Sequence, residues 1–218
     1  MRSLKTPAVE AETGIQMITR TIIARGAVIA CLIAASGCTA VGVGVGAMAT
    51  AGVSVAQERS TRQALNDAEI VASLNNRLLA EGYELFGDIT TEVVEGRVLL
   101  AGSVPKQEDR IRAAQIVWDT PGVVELLNEV TIGEDAGTAS YAEDVWISTK
   151  LRAALFGDLD VNAVNYNIET VDQTVHLIGV ARSEEELERV VEHARGIDGV
   201  KKVVSHVLTK YDDRRVRG

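Results

Sequence analysis

From residue 67 onward the apolar positions of this chain run through one order of spacings and then run through it again. Ile70, Leu74 and Leu78 recur every four residues, as do Ile147, Leu151 and Leu155, which is the spacing of a helix that buries one stripe. Asp67 and Asp144 stand at the head of each stripe, where an N-cap is expected. The period then changes to two. Ile89, Thr91 and Val93 alternate with polar neighbours, Glu95-Gly96 supplies a turn, and Val98, Leu100 and Gly102 resume the alternation, a hairpin pattern. In the second half the same places hold Tyr166, Ile168 and Thr170, then Asp172-Gln173, then Val175, Leu177 and Gly179. A second helix is predicted from about Lys106 to Asp119 and from about Ser183 to Arg195, where Ser183-Glu-Glu-Glu186 has the form of a capping box. Gly122-Val123 and Gly199-Val200 open a third strand, ending near Thr131 and Leu208.

A shift of 77 residues lays the second half over the first without a gap: Asp67 on Asp144, Leu100 on Leu177, Gly102 on Gly179, Gly122 on Gly199 and Val130 on Val207. The chain therefore carries one small domain twice. Each copy has room for about 65 residues, near the lower limit for an independent core, so the two are expected to lean on each other. The order helix, strand, strand, helix, strand predicts an α+β fold, two αββαβ domains each with two helices on one face of a small mixed sheet. The coinciding positions are apolar residues and glycines. Gly102, Gly179, Gly122 and Gly199 are thus structural candidates, because glycine within a strand often marks close approach of another backbone.

The first 60 residues have a different character. No charged residue stands between Gly26 and Gln57, and Arg20 and Arg25 precede that stretch. Gly26 to Ala35 (GAVIACLIAA) reads as the h-region of a secretory signal behind a positive n-region, followed by the small residues Ala35, Ser36 and Gly37 directly before Cys38. This series resembles the lipobox of bacterial lipoproteins, with Ala35 in place of the commoner leucine, and the resemblance implies acylation of Cys38 as the new N-terminus. Residues 1–16 add nothing to such a signal and carry Glu10 and Glu12, which makes Met17 a candidate start. The alternative is an uncleaved signal anchor. Against it stands Val41-Gly-Val-Gly-Val-Gly46, since each glycine costs about 1 kcal/mol in a helix relative to alanine. Either way the positive-inside tendency keeps Arg20 and Arg25 in the cytoplasm and places the repeats outside the inner membrane. Thr39 after the cysteine lacks the aspartate that retains enterobacterial lipoproteins in the inner membrane, so outer-membrane anchoring facing the periplasm is expected over inner-membrane anchoring.

Little in the sequence points to chemistry. Cys31 would leave with the signal and Cys38 would carry lipid, so neither repeat holds a thiol for a disulfide, a nucleophile or a metal. His176, His193 and His206 fall in two strands and a helix without metal-ligand spacing. Glu184, Glu185, Glu186 and Glu188 read as the solvated first turn of a helix. No catalytic, phosphate-binding or dinucleotide motif is present, so the expectation is a non-enzymatic protein without metal, cofactor or small-molecule substrate.

The aspartate-led helix, V-x-L-x-G strand, helix, and G-V before the last strand together resemble the BON domain. The block Asp144-Val-Trp-Ile-Ser-Thr-Lys150 is the most specific part. With a lipobox in front and two copies behind, the chain resembles dual-BON outer-membrane lipoproteins of the DolP type. The expected division is a signal over 1–37, an acylated cysteine and tether over 38–66, domain 1 over 67–132, a connector over 133–143, domain 2 over 144–210, and a basic tail over 211–218. The resemblance implies binding of anionic phospholipid and a part in envelope integrity. A protein–protein adaptor or stress-induced periplasmic scaffold is the alternative.

Charge decides which copy could touch such a membrane. Residues 67–143 hold 15 acidic and 5 basic residues (−10), whereas residues 144–218 hold 13 and 11 (−2), within a chain of −9 overall. A surface of −10 is repelled by anionic lipid and by nucleic acid, so nucleic acid is not an expected partner and domain 2 is the expected lipid face. Trp146 lies about 100° round the helix from the buried stripe, with Lys150 one turn on and Arg152 nearby. Indole and lysine together suit a headgroup boundary. Packing of Trp146 against domain 1 or the stretch Thr138 to Glu143 is the other reading.

Overall fold

The computed structural model describes residues 58–82, 87, 89–133 and 137–215. The predicted signal over 1–37, Met17, Cys38 and the tether up to residue 57 lie outside the described residues.

Domain 1 begins earlier than the periodicity suggested. Helix α1 spans Thr61–Glu81, and its N-cap is Ser60, whose hydroxyl accepts from the Gln63 amide at 3.2 Å while Gln63 Oε1 accepts from the Ser60 amide at 2.7 Å. This reciprocal capping box starts the helix within the stretch expected to be tether. Asp67 is therefore no N-cap. It sits a full turn inside α1, buried, and its carboxylate accepts from the backbone amides of Glu95 (2.9 Å) and Gly96 (2.8 Å). Those amides form the turn between β1 (Ile89–Val94) and β2 (Arg97–Val104). Helix α2 (Gln107–Trp118) and β3 (Glu125–Ile132) complete the domain, with β2 central, antiparallel to β1 and parallel to β3. Ile70, Leu74 and Leu78 of α1 and Ala113, Ile116 and Val117 of α2 cover Val93, Val98, Leu100 and Val130 of the sheet.

Domain 2 repeats the plan. Helix α3 spans Gly137–Gly157, so most of the expected connector is helix, and the expected capping position of Asp144 is again interior. Asp144 accepts from the amides of Asp172 (2.9 Å) and Gln173 (2.8 Å), the turn between β4 (Tyr166–Val171) and β5 (Thr174–Ala181). Three turn residues, Glu95, Asp172 and Gln173, hold positive φ without being glycine, and the aspartate clamp is what fixes each turn. Helix α4 (Glu184–Arg195) opens on Ser183, whose hydroxyl accepts from the Glu186 amide. Glu186 does not close a reciprocal box. It is buried, accepting from the amides of Asn162 and Arg182, so the acidic run is not uniformly solvated. The third strand is broken into β6 (Lys202–Ser205) and β7 (Leu208–Thr209), both parallel to β5, with the His206 carbonyl between them taken by Arg97 of domain 1 at 2.8 Å.

The domains meet through the sheet faces their helices leave bare. Val94, Leu99 and Leu127 of domain 1 pack on Ile178 and Val180 of domain 2. The residues expected to form a basic tail also take part. The Arg215 guanidinium, 6% exposed, grips the 1% exposed Glu95 of domain 1 through Nε (3.0 Å) and Nη2 (2.6 Å), and Lys210 pairs with Glu58 at 2.7 Å.

The structural glycines differ in why they are needed. An ideal Cβ on Gly179 would stand 2.2 Å from the Asn165 carbonyl oxygen, so this strand position passes against another backbone. Gly122 and Gly199 both hold positive φ, with a Cβ meeting Ile70 and Ile147 of the helix stripes respectively. Gly102, at the position of Gly179, instead carries φ 144°.

Candidate membrane-facing helix

Helix α3 is amphipathic in an unusual sense, because both of its sides carry apolar residues. Ile147, Leu151 and Leu155 point into domain 2 and are fully buried. On the outward side stand Tyr141, Val145, Trp146 and Phe156, and Leu159 follows the helix end; Trp146 is 58% exposed, Phe156 67% and Leu159 98%. Single exposed apolar residues need no explanation, but three exposed aromatic residues, Tyr141, Trp146 and Phe156, share this one helix. Only Trp146 of this group was picked out from the sequence. Tyr141, Val145 and Phe156 are apolar positions off the buried stripe, and nothing local in the sequence separates an exposed apolar residue there from a buried one.

Trp146 and Lys150 come together as their spacing predicts. The Lys150 ammonium lies 4.8 Å from the centroid of the indole ring, a cation–π contact on the exposed side of the helix. More than half of Trp146 remains in solvent, and the stretch Thr138 to Glu143 belongs to the same helix. Arg152 goes elsewhere. Its Nη2 donates to the Ile168 carbonyl on β4 at 2.7 Å, and its charge is felt by Glu169 and Glu92 beneath the helix. The geometry thus assembles Trp146, Lys150 and the newly seen apolar residues, and ties Arg152 to the sheet edge.

The matching face of α1 lacks the tyrosine, the tryptophan and the lysine, while exposed Leu79 stands at the position of Phe156. At the positions of Tyr141, Trp146, Lys150 and Arg152 it carries Ala64, Glu69, Ser73 and Asn75. Its own exposed large residues are Leu65 and Leu79.

The histidines are engaged elsewhere in the fold, and two of them, His176 and His206, are close enough for their charges to oppose each other. His193 Nε2 lies 2.8 Å from Asp158, His206 Nε2 lies 2.9 Å from Glu129, and His176 is buried in the sheet. Among the described residues no cluster of His, Cys, Asp and Glu could hold a metal ion, and no helix is long and apolar enough to cross a membrane.

Comparison with known proteins accords with this architecture. The profile of the BON domain matches residues 66–134 and 143–210, one match for each folded unit. An Anaplasma centrale protein described as an uncharacterized protein in the gshII 5′ region is 36% identical over 152 residues, 69% of this chain and 99% of that one. The outer membrane lipoprotein DolP of Haemophilus influenzae is 28% identical over 179 residues, covering 81% of this chain and 90% of its own length. The osmotically-inducible protein Y of Escherichia coli is 25% identical over 148 residues, 67% of this chain and 74% of that one. With two profile matches spanning both domains, the chain belongs to the BON-domain family and is a tandem, dual-BON member of it.

Proposed function

We propose that this protein is an outer-membrane lipoprotein, acylated at Cys38 and facing the periplasm, that lays helix α3 of its second domain on anionic phospholipid and thereby supports envelope integrity. The similarity to a DolP lipoprotein along most of both chains supports the envelope assignment. The observation that carries the lipid assignment is the outward face of α3, where exposed Trp146 and Phe156 accompany a lysine stacked on indole. At a bilayer surface the aromatic rings bury at the headgroup level, and the Lys150 ammonium can reach lipid phosphate without leaving the indole far behind. Burying a face of this kind releases about 25 cal/mol per Å² of apolar area, and each cation near an anionic surface adds about 1 kcal/mol. One such face gives reversible contact, and acylation at Cys38 supplies the lasting anchor.

Flotation of the fragment from Gln57 onward with vesicles of anionic or neutral phospholipid tests the lipid assignment. The fragment is expected to float with anionic vesicles, less so at high salt, and Trp146→Ala or Lys150→Glu is expected to reduce that binding by about tenfold. Equal flotation of both variants with the parent removes α3 as the lipid face. Failure of the parent to float, with copurification of a single envelope protein through domain 2, points to the adaptor role instead. Fatty-acid labelling of the full chain against Cys38→Ala tests the anchor: loss of label and a change in apparent mass are expected.

A further inference from the structure

The seam between the two sheets is only partly apolar. Beside the patch of Val94, Leu99, Leu127, Ile178 and Val180 stand several titratable groups. Asn167 of β4 donates through Nδ2 to Glu92 Oε2 of β1 at 2.6 Å, which brings the edge strands of the two sheets together at a carboxylate. Glu169 lies two residues along β4 on the same face, close enough to Glu92 for the two charges to oppose each other. Its partner across the β4–β5 ladder is His176, buried, with no hydrogen-bond partner at Nδ1 among the described residues. His206 Nε2 contacts Glu129 Oε1, and both of these residues act on His176 as well.

We propose that this seam is a pH-sensitive clasp: with Glu169 protonated beside Glu92 the two sheets hold together, and with both carboxylates charged the seam opens more readily. The groups around Glu169 are Glu92 and the Thr90 hydroxyl from β1, Arg152 and Asp144 from α3, and His176 from β5. Around Glu92 they are Asn167, Arg152 and Arg59. Arg152 is the cation these carboxylates share, and its guanidinium is also spent on the Ile168 carbonyl, so it offsets their charge in part.

Burial, helped by the Glu92 charge and opposed by Arg152, pushes the Glu169 carboxyl up to about 7, and burial likewise raises Glu92. A raised carboxyl contributes stability that is fully present below the unfolded value of 4.5 and is lost as pH rises through about 7. If opening of the seam returns Glu169 to its ordinary value, raising the pH from 6 to 8 increases opening about tenfold. His176, which Glu129 from β3, Lys202 from β6 and His206 after that strand also face, acts with the other sign. Burial lowers it, so charging it at the acid end weakens the seam, which is therefore tightest in mildly acidic surroundings.

The repeats contain no cysteine, so a single thiol introduced in the seam is a clean reporter. Val180→Cys in the full chain carrying Cys31→Ser and Cys38→Ser, in detergent, places that thiol in the patch between the sheets and leaves no other thiol in the chain. Its labelling rate, divided by that of the unfolded chain at the same pH, should rise about tenfold from pH 6 to 8. Adding Glu169→Gln should cut the rise sharply, Glu169→Gln with Glu92→Gln should abolish it, and a thiol at Val190, inside the core of domain 2, should label far more slowly throughout. The inference is overturned by a pH-independent rate in the parent reporter, by a rise undiminished in Glu169→Gln, or by equal labelling at Val190, which would mean that the whole domain opens. Should Glu169→Gln fail to fold, carbon NMR of the Glu169 carboxyl in the parent decides: a midpoint near 7 is expected, and one near 4.5 overturns it.

Discussion

Domains 1 and 2 share a skeleton and differ in what they show to the outside. Both clamp a hairpin turn with an aspartate inside the first helix, at matching distances of 2.8–2.9 Å. Both set a positive-φ glycine against that helix before the third strand. Outward, α1 shows Glu69 where α3 shows Trp146, and Ser73 where α3 shows Lys150. The residues that coincide under the repeat therefore build the fold, and a difference between the copies is where function can be sought. The seam adds a third class, in which each copy contributes unlike residues to one shared contact.

The comparison breaks most severely at Gly179. A Cβ there must displace the Asn165 carbonyl, so Gly179→Val should destabilise domain 2 by more than about 3 kcal/mol, a fall of several degrees in the thermal midpoint. Gly102→Ala in domain 1 acts through φ 144° instead, and strain of that kind costs about 1–3 kcal/mol. Calorimetry of the two variants ranks them; a milder Gly179→Val would mean that close backbone approach is not what this position provides.

Next in size is Arg215. Among the described residues, removing it leaves the buried Glu95 carboxylate with Gln63 as a weak donor at 3.3 Å, and breaking a buried pair in this way costs about 3 kcal/mol. Among the described residues Asp172, the matching position in domain 2, takes the Ser140 hydroxyl at 3.4 Å and no ion pair, so Arg215→Ala should loosen the union of the two domains and leave α3 and α4 as they are. Limited proteolysis reports this: faster cleavage between the domains is expected, and an unchanged pattern argues that the clasp does not depend on Arg215.

The aspartate clamps should follow, and they test whether the copies are equivalent. Loss of two charge-assisted hydrogen bonds in Asp144→Ala should cost about 2–3 kcal/mol, and Asp144→Asn should recover part of it by keeping one acceptor oxygen. Asp67→Ala should cost somewhat more, because Asp67 also pairs with Arg59 at 2.8 Å. Thermal midpoints of the three variants measure the order; a harmless Asp144→Ala would reduce the clamp to an ornament of the turn.

What could be read from the sequence was what is local. Four-residue and two-residue periodicities arise within single elements, so the helices, hairpins and their duplication were plain from Ile70, Leu74, Leu78 and their counterparts. The start of α1 was missed because a capping box at Ser60 and Gln63 lies in a polar stretch that the apolar period does not reach. The aspartates were misplaced as caps because their partners, the hairpin amides, lie nearly 30 residues away. Arg215 and the seam were illegible for the same reason at longer range, since Arg215 meets Glu95 across 120 residues. At the candidate site, Trp146 with Lys150 could be read as neighbours one turn apart, whereas the diversion of Arg152 to a strand carbonyl depends on the bare edge of β4.

The smallest expected effect on folding belongs to the residue with the largest proposed role. Because more than half of Trp146 is in solvent, Trp146→Ala forfeits little beyond its contact with Lys150, and an exposed cation–π pair is worth about 0.5–1 kcal/mol. The thermal midpoint should therefore move by only a few degrees at most, against the much larger fall expected for Gly179→Val. Glu69→Ala in domain 1 should be equally mild for folding and should leave vesicle binding unchanged, since no apolar ring stands there. The two substitutions at one matched position thus separate scaffold from surface: both are tolerated by the fold, and only the one in α3 should release the protein from anionic vesicles. A large fall in the midpoint for Trp146→Ala would mean that the ring supports the helix, and the exposed face of α3 would then be packing surface rather than a site.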